Sequence, residues 1–351
     1  MSSPRYHALK VRSVVQETGD SRSIVFDVPA ELSTSFAYRP GQFLTLRLPV
    51  NGRRLLRCYS MSSAPGIDPQ LQVTVKQVAG GLASNWLCSQ VKAGDSIDVM
   101  APAGVFTPRS LAGDLLLFGG GSGITPVYSI LRSALQQGTG RIRLIYANRD
   151  ERSVIFGREL AELGRQNPGR LQIIHWLDSV QGTPGVPQLA ELARGWEASE
   201  AWICGPGPFM DAAVAACASV GMPEEQVHVE RFRSLPDEAD ETSPAAPPAM
   251  SQASASPAVE SSAIDIELDG TTHHVTCSGS ETILAAALRA GIEIPRSCEA
   301  GLCAACMCQV KSGSVDLLHN EALDAKDLAK GWVLCCQAVP TSSQVHVKFP
   351  G

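Results

Sequence analysis

Cys298, Cys303 and Cys306 stand as C-x4-C-x2-C, and Cys336 follows further along the chain. Three thiolates on one tight loop, with a fourth delivered from elsewhere, form the ligand set of a [2Fe–2S] cluster. Zinc sites instead tend to match one close-spaced pair with another. The split of three and one therefore favours iron–sulfur over zinc or a chance group of buried thiols. Gly301 inside the loop lets the backbone curl around a cluster, and nearby N–H groups can donate to its sulfurs and tune its potential. The chain carries 11 cysteines, an odd number, and its polar N-terminus holds no apolar signal core. Both facts point to metal ligation rather than a disulfide framework.

A second constellation, Arg57-Cys58-Tyr59-Ser60, sets a planar cation, an aromatic ring and a hydroxyl within four residues. Arg57 can grip a phosphate oxygen in a fixed fork. Tyr59 can stack on a planar ring, and Ser60 can reach the atom to which hydride is delivered. By itself the tetrapeptide is equally an ordinary strand end. It resembles the R-x-Y-[ST] flavin motif of the ferredoxin–NADP reductase superfamily, and two more stretches support that. Gly80-Gly81-Leu82-Ala83-Ser84 leads into a helix at 85–87, where Gly81, backbone N–H groups and the Ser84 hydroxyl would hold flavin phosphates. Pro102-Ala103-Gly104-Val105-Phe106 resembles that superfamily's P-x-G-x-F strand.

A third signal is Gly119-Gly120-Gly121-Ser122-Gly123-Ile124-Thr125-Pro126, set between an apolar strand and a helix. Glycines there admit a pyrophosphate close to the backbone, and Thr125 with the helix start adds hydrogen bonds. The pattern is not G-x-G-x-x-G with an acid ~20 residues on; it resembles the nicotinamide-nucleotide loop of the same superfamily. Cys204-Gly205-Pro206, at another strand-to-helix switch, resembles the C-G-P turn that lies beside the nicotinamide. Cys204 then reads as a small polarizable wall on the hydride path; no base is marked that would make it a nucleophile. In this superfamily an acid and an aromatic residue sit near the flavin at the end of the nucleotide domain, which here carries over to Glu230 and Phe232. The resemblance thus implies Ser60, Cys204 and Glu230 as catalytic residues. Where NADPH enzymes place Ser-Arg, this chain has Asp178-Ser179-Val180. An acid near the adenosine ribose repels a 2′-phosphate, so the reading is NADH over NADPH, with Arg149 and Arg152 the residues able to reverse it.

These groups need elements to hold them. Residues 1–108 alternate apolar and polar in short runs, with a clear strand at 71–76 and turn signals at Arg39-Pro40-Gly41, Asn51-Gly52 and Ala93-Gly94-Asp95. That pattern predicts an antiparallel β-barrel, which the resemblance implies is the FAD-binding domain. Over 109–235 continuous apolar strands at 115–118, 143–147, 171–176 and 201–204 alternate with helices at 126–137 and 208–220. Such alternation predicts an α/β doubly wound parallel sheet, which the resemblance implies is the NAD(P)-binding domain. Residues 236–262 are rich in Pro, Ala, Ser and Glu without an aromatic, and read as a flexible linker. Residues 263–351 contain the cysteine cluster. Bases slightly outnumber acids before the linker and acids outnumber bases after it, so the two parts attract weakly. The hydrophobic fraction is 44% and the charged fraction 18%, as in folded domains. No apolar run approaches ~20 residues, which predicts no membrane insertion, and a net charge of −6 argues against nucleic acid as partner. The expected setting is cytoplasmic.

Cys336-Gln337-Ala338-Val339-Pro340 resembles the Gln-Ala-x-Pro context of the last ligand in plant-type ferredoxins. That resemblance makes Cys336 the fourth ligand, Cys335 and Cys308 apolar fillers, and the last domain an α+β β-grasp. Over nearly its whole length the chain is similar to ferredoxin-fused reductases of multicomponent oxygenases. The stretches 146–156 and 175–182 resemble most the reductases of the 3-ketosteroid 9α-hydroxylase group, with phenylacetyl-CoA epoxidase reductases as neighbours. The resemblance implies electron transfer from NADH through FAD to the [2Fe–2S] cluster and on to a terminal oxygenase of Rieske type. Flavin accepts a hydride pair and releases single electrons, which a cluster requires. A di-iron oxygenase as partner, a non-turnover redox sensor and a stand-alone NAD(P)H oxidase are the alternatives.

Overall fold

The computed structural model describes residues 6–232, 261–268, 270–296, 299, 301, 304–320, 322–323 and 325–349. The chain divides into two compact units, Met1–Asp237 and Glu238–Gly351.

The first unit begins with six strands: β1 (His7–Thr18), β2 (Ser21–Asp27), β3 (Phe43–Val50), β4 (Arg53–Ser60), β5 (Leu71–Lys76) and, after helix α1 (Leu82–Ser89), β6 (Ser96–Val99). They form one antiparallel sheet in the order β4-β3-β6-β1-β2-β5. A bridge between Met61 and Val73 brings its two edges together, as a barrel requires. Alternation decides the interior: Leu71, Val73 and Val75 of β5 join Leu44, Leu46 and Leu48 of β3 in one core.

The same unit continues with β7 (Leu115–Gly120), α2 (Ile124–Gln137), β8 (Ile142–Asn148), α3 (Gly157–Gln166), β9 (Leu171–Leu177), α4 (Asp178–Gln181), α5 (Val186–Ala193), β10 (Glu200–Cys204), α6 (Gly207–Ser219) and β11 (Val227–Glu230). The sheet is parallel, in the order β11-β10-β7-β8-β9. The unbroken apolar run of β7 is explained by its two covered faces. Leu115 and Leu117 enter the core beneath α2 and α3, while Leu116 and Phe118 enter the opposite core beneath α5 and α6. Truncating a fully buried side chain such as Phe118 to Ala costs about 3–5 kcal/mol in sites of this kind. The chain winds outward from β7 on one side and from β10 on the other, so these neighbours flank the topological switch point. All four strands read from the sequence are present. The fifth, β11, is four half-buried residues at the sheet edge, too short and too mixed for periodicity to mark.

Several bonds join the barrel to the parallel-sheet domain. Arg132 of α2 makes a two-pronged ion pair with Asp68, at 2.5 and 2.8 Å. Ser129, one turn earlier, donates to the Ser63 carbonyl at 2.6 Å. Phe106 meets Trp202 edge-to-face at 4.9 Å.

The second unit holds β12 (Ser261–Leu268), β13 (Thr271–Ser278), α7 (Ile283–Arg289), β14 (Met307–Ser312), β15 (Val315–Leu317), α8 (Ala325–Ala329), β16 (Trp332–Leu334), β17 (Ala338–Pro340) and β18 (Gln344–Lys348). A mixed five-stranded sheet, β13-β12-β18-β14-β16, has β12 and β18 parallel at its centre. Ile283, Leu284, Ala286 and Ala287 of α7 pack on it with Ile264, Ile266 and Val347. The expected linker, 236–262, lies outside the described residues except for Ser261 and Ser262, which open β12. Among the described residues no helix is long and apolar enough to cross a membrane.

Candidate functional site

A cavity of about 300 Å³ opens beside the end of β4, a size at the lower end of cofactor sites. Arg57, Tyr59 and Ser60 line it from β4, and Gly81 and Ser84 from the start of α1. Gly81 is the N-cap of α1 and no side chain caps that end, which leaves first-turn N–H groups for a ligand. Ser84 Oγ accepts from the Val78 N–H at 3.1 Å and holds the preceding turn closed. Arg57 donates to the Leu56 carbonyl at 2.9 Å. Burial pushes the Tyr59 hydroxyl well above its ordinary range, with Arg57 opposing that shift, so the phenol stays neutral and its ring is the useful surface. The other domain contributes Ser122, Thr125 and Phe232 to the same walls.

Lys76, the last residue of β5, also lines the cavity and pairs with Asp20 at 3.8 Å. Sequence alone places it on a strand and assigns it no part in the site. Its position just before the Gly80-Gly81 turn is the signal that could have found it.

The glycine loop occupies the switch point. Gly119 and Gly120 end β7, Gly121 turns at a φ of +52°, and Gly123 leads into α2. A Cβ on Gly123 would sit 2.3 Å from the Cys204 carbonyl oxygen, and one on Gly205 would sit 2.9 Å from the Gly120 Cα. The sequence pattern points these glycines at pyrophosphate approach. In the fold, Gly123 and Gly205 first let the two strand ends close on each other, with Pro206 packed against Gly120. Thr125 donates to the Ser122 carbonyl at 3.1 Å, and the Tyr146 hydroxyl donates to the Gly121 carbonyl at 3.1 Å. Asp178 opens α4 directly after β9. Its Oδ1 is buried without a hydrogen bond, and burial pushes the carboxyl up. Arg149 is held by Asp20 of the barrel at 3.3 Å.

At the junction of the two domains, Ser60 Oγ donates to Glu230 Oε2 at 3.0 Å. Cys204 pairs in register with Gly119 on one side and Glu230 on the other, so Ser60, Cys204 and Glu230 converge from three distant stretches. Glu230 as a whole residue is half-buried. The dense packing around its carboxyl nevertheless pushes that group up to about 8, with the Ser60 bond opposing. Burial also drives the Cys204 thiol far above its ordinary value, which suits a neutral wall. Phe232 is 45% exposed.

In the second unit Cys306 and Cys336 approach each other beside β14 and β16. The Cys336 N–H donates to Cys306 Sγ at 3.5 Å, and Gln337 Nε2 donates to Cys336 Sγ at 3.7 Å and to the Glu299 carbonyl at 3.1 Å. The bond with the Cys306 thiol lowers the Cys336 thiol. Gly301 has a φ of +78°, and a Cβ there would meet the His319 carbonyl oxygen at 2.7 Å. Cys308 and Cys335 are fully buried in the core. Cys298 and Cys303 lie outside the described residues. The described thiols, with N–H donors to both sulfurs, fit a [2Fe–2S] cluster, and the cavity with its stacking ring and phosphate donors fits a flavin.

Fold and site together define an oxidoreductase in which a flavin- and nicotinamide-binding body is joined to a ferredoxin-type iron–sulfur domain. The oxidoreductase FAD-binding domain family matches residues 8–107, the oxidoreductase NAD-binding domain family matches 117–215, and the 2Fe-2S iron-sulfur cluster binding domain family matches 266–341. The chain is 48% identical over 342 residues to the 3-ketosteroid-9-alpha-monooxygenase ferredoxin reductase component of Rhodococcus rhodochrous, covering 97% of this chain and 96% of that protein. It is 35% identical to a component of the 1,2-phenylacetyl-CoA epoxidase of Escherichia coli, covering 98% of each. Its fold is similar to that of phthalate dioxygenase reductase, with a TM-score of 0.59, 23% identity and 98% of each chain covered. The chain belongs to the family of oxygenase reductase components that carry FAD-binding, NAD-binding and [2Fe–2S] domains on one polypeptide.

Proposed function

We propose that this reductase uses NADH and serves a terminal oxygenase of the Rieske type acting on a steroid, as the reductase of Rhodococcus rhodochrous is named for a ketosteroid monooxygenase. The observation that carries the electron-entry half is the Ser60–Glu230 bond, which ties the cavity-lining Ser60 to the parallel sheet beside Cys204. Bound FAD supplies the exchange of one hydride for two single electrons, and the cluster supplies a one-electron carrier. Tyr59 orients the ring by stacking, and Arg57, Gly81 and Ser84 hold phosphate oxygens. The loop Gly119, Gly120, Gly121, Gly123 and Thr125, with Gly205 and Pro206, receives the nicotinamide end. Glu230 keeps its proton at neutral pH, and Ser60 links that proton to the cavity. Cys204 is buried beside Glu230 in the sheet, and Phe232 covers the open side.

Two observations support NADH. The unpartnered Asp178 Oδ1 suits a ribose hydroxyl and repels a 2′-phosphate, and Arg149 is occupied by Asp20. Cys298, Cys303, Cys306 and Cys336 ligate the cluster. The phenylacetyl-CoA epoxidase relative favours a second reading, a di-iron partner. The test mixes the purified reductase with NADH or NADPH and, separately, a ketosteroid Rieske oxygenase or a phenylacetyl-CoA epoxidase oxygenase. Product formed with NADH and the Rieske enzyme alone supports the reading. Preference for NADPH, or turnover with the epoxidase alone, overturns the corresponding half.

A further inference from the structure

The segment leaving β4 carries Ser60 straight into a buried stretch: Met61, Ser62, Ser63 and Ala64 are all at most 1% exposed. Internal bonds stiffen it. The Tyr38 hydroxyl donates to Ser63 Oγ at 2.8 Å, that Oγ accepts from the Gln72 N–H at 3.0 Å, and the Ala64 N–H donates to Asp68 Oδ2 at 2.8 Å. Two groups of this segment then grip α2. The Ser63 carbonyl accepts from Ser129, and the Asp68 carboxylate takes both prongs of Arg132. Ser129 and Arg132 are three residues apart and so share one face of α2.

Helix α2 is also the support of the glycine loop: Gly123 is its N-cap and Thr125 lies in its first turn. A helix moves as a rigid body with about 3.6 residues per turn, so a grip at Ser129 and Arg132, about one and two turns away, fixes Thr125. None of Ser63, Asp68, Ser129 or Arg132 lines the cavity. Their side-chain chemistry is therefore spent on relative position. Asp68 and Arg132 are half-buried, at 29% and 19% side-chain exposure, so solvent screens the pair only in part.

We propose that Asp68 and Arg132, with Ser63 and Ser129, are a positioning clamp that sets the distance between the glycine loop and the Ser60 strand, and hence the rate of hydride transfer. The proposal rests on the assignment of those two walls as the nucleotide and flavin sides. Displacement of about 1 Å between reacting groups costs up to about 100-fold.

The test uses the full-length protein loaded with FAD and cluster, mixed rapidly with NADH in the absence of oxygen. Arg132→Ala and Asp68→Ala are expected to slow the limiting rate of flavin reduction by about tenfold or more. The half-saturating NADH concentration stays within about twofold, and the long-wavelength charge-transfer absorbance of the bound pair weakens. Amide exchange, measured before nucleotide is added, rises over 61–68 and 124–135. The double variant Asp68→Ala/Arg132→Ala is no slower than Asp68→Ala, because the ion pair is already lost in that single variant, which also frees the Ala64 N–H. Single variants that melt earlier yet reduce at the wild-type rate overturn the clamp, and so do additive losses in the double variant. A wild-type protein whose flavin NADH does not reduce overturns the site assignment and the clamp together.

Discussion

Ser60 and Glu230 lie 170 positions apart in the chain yet share one hydrogen bond of 3.0 Å. Removing the hydroxyl by Ser60→Ala leaves Arg57, Tyr59, Gly81 and Ser84 of the cavity lining in place, so flavin content is expected to stay constant. Flavin reduction by NADH, followed by stopped flow, is expected to slow by about 10²-fold, the lower range for a positioned proton-handling group. Burial raises the Glu230 carboxyl from its ordinary value of 4.5 to about 8. The folded chain therefore holds that proton more tightly than the unfolded chain. The resulting stabilisation is complete below about pH 4.5 and is lost as pH rises through 8. Glu230→Gln stays neutral at every pH. The melting temperature of wild type relative to Glu230→Gln is thus expected to fall between pH 4.5 and 8; a constant difference across that window would contradict the buried carboxyl.

The elements impose their own tests. The end of β7 and the end of β10 close so tightly that a Cβ on Gly123 would lie 2.3 Å from the Cys204 carbonyl. Gly123→Ala must push the loop off β10. The expected cost is about 1–3 kcal/mol of stability, as for an overpacked core, seen as an earlier thermal transition, with loss of NADH oxidation and unchanged FAD content. In the second unit, Gly301 combines a φ of +78° with a contact to the His319 carbonyl. Gly301→Ala strains the backbone and the packing at once, so iron per chain is expected to fall while FAD per chain does not. Element identity is largely legible in the sequence. β5 spans the residues that alternate as a strand, and the apolar runs are β7 to β10. The helix α1 starts at Leu82, three residues before the stretch that reads as helical, because glycines on the N-terminal side obscure where helical geometry begins. The edge strand β11 is not legible, since four half-buried residues carry no period.

At the scale of the molecule, the chain separates into a body that receives hydride and a unit that carries iron. Stripping the iron with a chelator under acid is expected to abolish oxygenase-coupled turnover while NADH-dependent ferricyanide reduction by the body continues. Loss of both at once would show that the body depends on the cluster. Sequence alone was enough for the cysteine pattern, the glycine loop, the order of the domains and the family resemblance. Each of these is a local property: a ligand loop or a strand–turn–helix is specified by neighbours along the chain, through spacing and backbone freedom. Only the tertiary structure decided that Ser60 meets Glu230, that Asp20 occupies Arg149, that Arg132 clamps Asp68, and that Gly123 and Gly205 serve strand closure. Those are contacts between segments far apart in sequence. They follow from how strands pair within the parallel sheet and how that domain meets the barrel, and no periodicity along one segment encodes its distant partner.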